Sequence, residues 1–271
     1  MLTDAHCHPF DLKDHISLSD QQFNVLAAAS SCDLEEFLYI EELAKTSFTK
    51  RIQPCFAIHP QMPAFYRNKE KHEANFNEGT AKLQKKLELL ERLAEEKRIA
   101  AVGECGFDLF NADYKETETV QDGIFSAHLE IVLRYNLPVV LHVRRAIHKI
   151  FANIKKLCKC NTVIFHSWSG TYEEASSLLR RGINAYFSFG NAITLDHKKA
   201  IRSCALLPAD RLLFETDAPF QPARGKTFSQ WTDLIRIIET AASLHGKNPK
   251  ELEKIIENNF LKVFMQSLEE I

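Results

Sequence analysis

The sequence has no CxxC pair, and its seven cysteines are an odd number. That argues against a disulfide framework and points to reduced thiols in a cytoplasmic protein. Cys158 and Cys160 stand close together, but with no second pair nearby they read as small buried apolar residues rather than zinc ligands. No apolar run approaches the roughly 20 residues that a membrane helix needs, so no membrane partner is expected. Acidic and histidine residues come at once at the N-terminus, which is not the pattern of a signal peptide. Neither charge sign dominates: 34 Lys and Arg stand against 36 Asp and Glu, for a net charge of -2. This argues against a protein that coats nucleic acid by bulk charge, while leaving a local basic patch open. No linker, low-complexity tract or charge block divides the chain, so a single domain over 1–271 is expected.

The chain is 45% hydrophobic, enough for a large core. Short apolar runs alternate with amphipathic stretches from end to end. The strand candidates are 2–7, 24–30, 51–58, 99–104, 138–142, 162–166, 184–188 and 211–217. Helical patterns lie between them at 33–46, 80–98, 120–136, 146–159, 173–181, 196–204 and 229–244, and a final one starts at Pro249. Residues 59–77 and 105–119 read as long loops, and loops of that length usually carry function. Eight strands alternating with helices give a parallel sheet, and eight is the number that closes a barrel. A doubly wound open sheet is the rival fold. It is disfavoured because no Gly-rich turn follows the first strand. The polar residues are also spread over early, middle and late strands, and only a barrel brings those to one mouth.

Those polar residues sit at strand C-terminal ends, where barrel active sites lie. His6 and His8 end the first strand and share one face, because strand side chains alternate. Cys7 between them faces the helices. Asp4 shares the histidine face but lies deeper, as support. Glu104, His142, His166 and Asp217 end four further strands. Four histidines and two carboxylates exceed the needs of one tetrahedral ion. The expectation is two divalent ions about 3.5–4 Å apart. His6, His8 and Asp217, from strands adjacent in a closed barrel, would hold one ion. His142 and His166 would hold the other, and Glu104 would bridge. Mixed nitrogen and oxygen ligands admit zinc, manganese, magnesium or iron. Glu215 reads as polar support for the barrel core.

The set Asp4-Ala-His-Cys-His8, Ala57-Ile-His-Pro60, Val102-Gly-Glu-Cys-Gly-Phe-Asp108, Gln121 with Phe125, Leu137-Pro-Val-Val-Leu-His-Val-Arg144, His166-Ser-Trp-Ser-Gly170, Leu213-Phe-Glu-Thr-Asp-Ala-Pro219 and Asn259-Phe-Leu-Lys-Val-Phe264 resembles the TatD family of metal-dependent hydrolases. The resemblance runs nearly end to end. It implies a distorted TIM barrel, a one- or two-metal centre on the residues above, and phosphodiester hydrolysis on DNA, often as a 3′-to-5′ exonuclease. Some relatives act instead on esters such as wrongly charged tRNA. The chain departs from the family at the substrate rim. Its first helix is shortened, Arg145 stands where the family usually has an acid, and Gln221-Pro222-Ala-Arg224-Gly-Lys226 replaces a leucine-proline and arginine-asparagine stretch.

The expected activity is therefore a metal-dependent hydrolase, with a deoxyribonuclease preferred and a tRNA-linked or small-ester deacylase as the alternative. Asp217 and Glu104 are the expected catalytic residues, with Asp217 orienting or deprotonating the attacking water. Arg144, Arg145, Arg224 and Lys226 are candidates for phosphates flanking the scissile bond. Trp168 and the pair Phe65-Tyr66 are candidates for stacking on bases. His59 is expected to line the site rather than ligate.

Overall fold

In the computed structural model, which describes residues 1–16, 25–46, 51–72 and 78–265, each of the eight apolar runs becomes a strand. The order is β1 (Leu2–Cys7), α1 (Pro9–Leu12), β2 (Val25–Ser31), α2 (Leu34–Thr46), β3 (Ile52–Phe56), α3 (Met62–His72), α4 (Glu78–Glu95), β4 (Ala101–Asp108), α5 (Ala112–Lys115), α6 (Glu118–Tyr135) and β5 (Val139–Arg144). Then come α7 (Ile147–Ala152), α8 (Ile154–Leu157), β6 (Val163–Phe165), α9 (Tyr172–Arg180), β7 (Ala185–Phe189), α10 (Lys198–Leu206), β8 (Leu212–Phe214), α11 (Asp233–His245) and α12 (Pro249–Phe264). All eight strands are parallel and pair in sequence order. The seam between last and first strand is closed at its upper end. The Asp217 amide donates to the His6 carbonyl at 3.0 Å, and the His8 amide donates to the Ala218 carbonyl at 2.7 Å. The result is a distorted (β/α)8 barrel.

Alternation along the strands sorts the core into two parts. Ala27, Ala29, Val139, Leu141, Phe165 and Phe187 pack outward against the helices. Leu26, Ala28, Cys55, Val140, Ile164 and Leu213 face the axis, where Phe260, Val263 and Phe264 of α12 pack against them. The barrel floor is thus apolar, and polar side chains collect at the other end.

Two strands break the alternation. On β1, Asp4 pairs with Ala27 and Cys7 with Ala29, so three steps span two. On β4, Val102 pairs with Val139 and Cys105 with Leu141, again three steps against two. Each is a one-residue bulge, a device that re-aims side chains. Beside the second, Gly103 approaches β5 so closely that a Cβ there would lie 2.5 Å from the Val140 Cβ. The first bulge corrects the expected row of Asp4, His6 and His8. Asp4 is out of phase with His6, and its carboxylate turns to the seam. It accepts from the Thr216 amide at 3.0 Å and the Thr216 hydroxyl at 2.6 Å. Cys7 packs among the outward residues, as parity demands.

Other boundaries also shift. The expected loop at 59–77 contains α3. Its sequence has few apolar residues at helical spacing, so periodicity hides it; residues 73–77 lie outside the described residues. The expected loop at 105–119 is shortened from both sides, because β4 runs on to Asp108 and α6 begins at Glu118. The helix expected at 146–159 is divided into α7 and α8 at Asn153, whose side chain donates to the Lys149 carbonyl at 2.9 Å. Pro54 is the third residue of β3.

His128 of α6 ties that helix to the barrel. It is fully buried, and its Nε2 accepts from the Ile58 amide at 3.1 Å. Burial pushes its pKa down to about 3. The native state therefore keeps it neutral, while the unfolded chain binds a proton below pH ~6.5. Stability from this group is complete above that pH and falls as pH drops toward 3, at about 1.4 kcal/mol per pH unit. Between pH 6.5 and 5, wild type is expected to lose about 2 kcal/mol more than His128→Gln. Urea denaturation of both proteins at several pH values checks this.

Candidate metal centre

Five histidines and four carboxylates converge on the upper end of the barrel. β1 supplies His6, and His8 follows it; β4 supplies Glu104 and Asp108, and β5 supplies His142. His59, His166, Glu215 and Asp217 lie just beyond the ends of β3, β6 and β8. Glu104 is the hub, only 6% exposed. Its Oε2 faces one histidine set, 3.2 Å from His6 Nε2 and 3.8 Å from His8 Nε2. Its Oε1 faces another, 2.5 Å from His142 Nδ1, 2.9 Å from His166 Nε2 and 3.4 Å from His59 Nε2. Asp217 Oδ1 completes the first set, 3.5 Å from His6 Nε2 and 3.4 Å from His8 Nε2.

Potential ligand atoms fall into three overlapping groups, each within 4.8 Å: His6, His8 and Asp217; His6, Glu104 and His166; His59, Glu104 and His142. The structure thus brings together all six residues named as ligands in the sequence. It adds His59, which stands as close to Glu104 as Asp217 stands to His8.

A surrounding layer sets the imidazole tautomers. His6 Nδ1 meets the Ser30 hydroxyl at 3.2 Å. His166 Nδ1 meets Glu215 Oε1 at 3.1 Å, and Glu215 is fully buried. His142 Nε2 meets Asp108 Oδ2 at 3.2 Å, and Gln61 donates to that same oxygen at 2.7 Å. Such partners orient histidine ligands and raise their basicity. With Nδ1–H of His166 given to Glu215, its Nε2 lone pair points at Glu104 Oε1. The 2.9 Å between them is bridged by a proton on the imidazole or by a metal ion that replaces it. His6 and His8 likewise set Nε2 against Nε2 at 3.1 Å. This donor set fits divalent metal.

The electrostatics agree. Burial alone would push Glu104 up, but the imidazoles of His166, His59, His6 and His142 outweigh it and hold the carboxyl well below its usual range. Burial likewise opposes ionisation of Asp217, yet contact with His8 and the nearby imidazoles of His166 and His6 keep it low. His6 and His59 are pushed down, chiefly by burial. Low-lying carboxylates and neutral His6 and His59 are the protonation states that ligands need, while the neighbouring carboxylates raise His8, His142 and His166 against the effect of burial, so that metal held there would displace their protons.

The centre opens into a cavity of about 1140 Å³. Its walls include Arg144, Trp168, Lys198, Lys199, Phe65 and Phe220. Arg144 lies over the Phe110 ring at 3.6 Å, and Arg145 lies over the same ring at 4.6 Å. Trp168 is buried and packs edge-on against Phe165 and Phe187, so little of its ring remains for a base. Arg224 is exposed and pairs with Asp196 at 3.4 Å. Lys226 pairs with Asp233 at 2.5 Å, an anchor for the loop after β8. Neither Arg224 nor Lys226 is part of the cavity wall.

Sequence reading passed over Asp108, Lys198, Lys199 and Phe220. Asp108 could have been found, because it lies four residues beyond Glu104 on one strand and so shares its face. The lysines open α10 and carried no motif. Phe220 is half exposed and stands edge-on to His8, with ring centroids 5.2 Å apart.

The sequence model of the family described as TatD related DNase matches residues 3–265. An Escherichia coli protein named "Uncharacterized metal-dependent hydrolase YcfH" is 30% identical, over 97% of this chain and 95% of that protein. The "3'-5' ssDNA/RNA exonuclease TatD" of Cronobacter sakazakii is 28% identical, over 93% of this chain and 97% of its own length. Among solved structures, the TatD homolog YJJV of Escherichia coli superposes with a TM-score of 0.78 at 27% identity, covering 97% of each chain.

Proposed function

The chain belongs to the TatD related DNase family, and on that footing we propose that it hydrolyses phosphodiester bonds in single-stranded nucleic acid, DNA before RNA, from the 3′ end, with two divalent ions. The observation that carries this reading is Glu104, whose two oxygens face two separate sets of histidines. His6, His8 and Asp217 would hold one ion, and His142, His166 and the nearby His59 the other. When bound, the ions would polarise the phosphoryl oxygens and lower the pKa of water toward neutrality. Phosphodiester hydrolysis needs roughly 20 kcal/mol off its barrier. A general base alone gives about 10²–10⁴-fold, or about 3–5 kcal/mol, so side chains cannot suffice without the ions.

The chain's own residues do the rest. Asp217 is ionised beside the cavity and accepts the proton of the attacking water. Arg144, Lys198 and Lys199 stand where phosphates on either side of the scissile bond would pass. Phe65 and Phe220 offer exposed ring surface to unpaired bases. Cytoplasmic residence is part of the proposal. It is supported by seven free cysteines, and no helix among the described residues is long and apolar enough to cross a membrane.

A substrate panel tests the assignment. Metal-loaded protein is expected to shorten 3′-extended single strands, DNA faster than RNA, and to degrade blunt duplex slowly. Hydrolysis of aminoacyl-tRNA or simple esters with nucleic acid left intact would favour a deacylase instead.

A further inference from the structure

We propose that Gln221 is a positioning residue for Asp217: it holds one carboxylate oxygen so that the other is presented to His6 and His8. The Gln221 amide donates from Nε2 to Asp217 Oδ2 at 2.7 Å. The oxygen that faces His8 and His6 is the other one, Oδ1, at 3.4 and 3.5 Å. The inference rests on Asp217 as a metal ligand and adds what fixes its orientation. A carboxylate rotates broadly and nearly two-fold about its last torsion, so the site needs something to choose the oxygen. A hydrogen bond to an ionised acceptor is roughly twice as strong as a neutral one, which suits that task.

The clamp is itself held. The Ser167 hydroxyl lies 2.7 Å from Gln221 Nε2 and 3.0 Å from Gln221 Oε1, so it contacts both ends of the amide. Buried Asn191 donates from Nδ2 to the Gln221 carbonyl at 3.0 Å and lies 3.4 Å from Asp233, the residue that anchors Lys226. Ser167, Asp217 and Gln221 have φ of 46°, 54° and 51°. Non-glycine residues seldom take such a conformation, and three of them here converge on one contact. Ser167 also follows His166 directly. The clamp therefore joins the β6 and β8 ligands of the two halves of the centre. Gln221 is exposed, so its side chain is not part of the folding core.

Gln221→Glu tests the idea with a side chain of equal length. It removes the donor and sets a second carboxylate against Asp217 Oδ2. Ser167→Ala loosens the amide without removing it. Chelator-stripped protein is titrated with Zn²⁺ in a calorimeter, with melting temperature as the check on folding. Gln221→Glu is expected to weaken one Zn²⁺ site by ~10–100-fold, the range for partners of metal ligands. Ser167→Ala should act in the same direction and less. With bis(p-nitrophenyl) phosphate as a small substrate, kcat should fall more than KM rises. Zn²⁺ affinities of both variants equal to wild type would overturn the positioning role alone. Wild-type protein that takes up no Zn²⁺ would overturn the ligand reading beneath it, and the proposal with it.

Discussion

Glu104→Ala is expected to lower kcat on single-stranded DNA by at least ~10²-fold and to reduce the number of ions bound per chain. Among the described carboxylates, Glu104 alone has oxygens within 4 Å of histidines in both sets. Its Oε2 serves His6 and His8, and its Oε1 serves His142, His166 and His59. Removing it leaves the neighbouring imidazoles without the carboxylate they face. The fold should survive, because the axial core lies below the mouth and is apolar. Activity assays joined to metal analysis of the same preparation check the prediction. A variant with full activity and full metal content would show that the bridging role is wrong. Glu104→Gln separates charge from shape: it keeps one oxygen, and it is expected to retain more bound metal than Glu104→Ala while staying far below wild type in rate.

Asp217→Asn is expected to lower kcat by about 10²–10⁴-fold, the range for loss of a positioned general base, with the loss of a charged ligand added. Local hydrogen bonds make this substitution worse than its size suggests. Gln221 donates to the Oδ2 side and requires an acceptor there. The new amide must then turn its NH₂ toward His6 and His8, where the lone pairs of Nε2 should meet a cation. KM should change little by comparison, because Asp217 is not proposed to bind the flanking phosphates. Steady-state kinetics on metal-reconstituted protein distinguish the two effects. A rise in KM with kcat unchanged would place Asp217 in substrate binding and not in proton transfer.

Much of this was legible because strand chemistry is local. Eight apolar runs with helical patterns between them predict a barrel without reference to distant contacts. The polar residues at the ends of those runs then fall at one mouth. Two features were hidden for physical reasons. The bulges on β1 and β4 depend on the register of neighbouring strands, so alternation alone misplaced Asp4. The helix α3 carries few apolar residues, and so it had no periodic signature. His59 was expected to line the site rather than ligate, and it does lie beyond the end of its strand. Its Nε2 stands 3.4 Å from Glu104 Oε1, a contact between two parts of the chain that no sequence spacing contains. Lys226 illustrates the opposite error. A cation in a mouth loop suggested phosphate, but its partner is Asp233, which only the folded loop brings near.

Metal held by this cluster is proposed to drive the hydrolysis. The most direct measurement combines metal analysis with degradation of single-stranded DNA before and after chelation. Protein reconstituted with Mn²⁺ or Zn²⁺ is expected to bind about two ions per chain. It should shorten the strand from its 3′ end, lose that activity in EDTA, and recover it when the metal is returned. Undiminished cleavage by protein shown to be metal-free would show that the cluster does not act through bound metal.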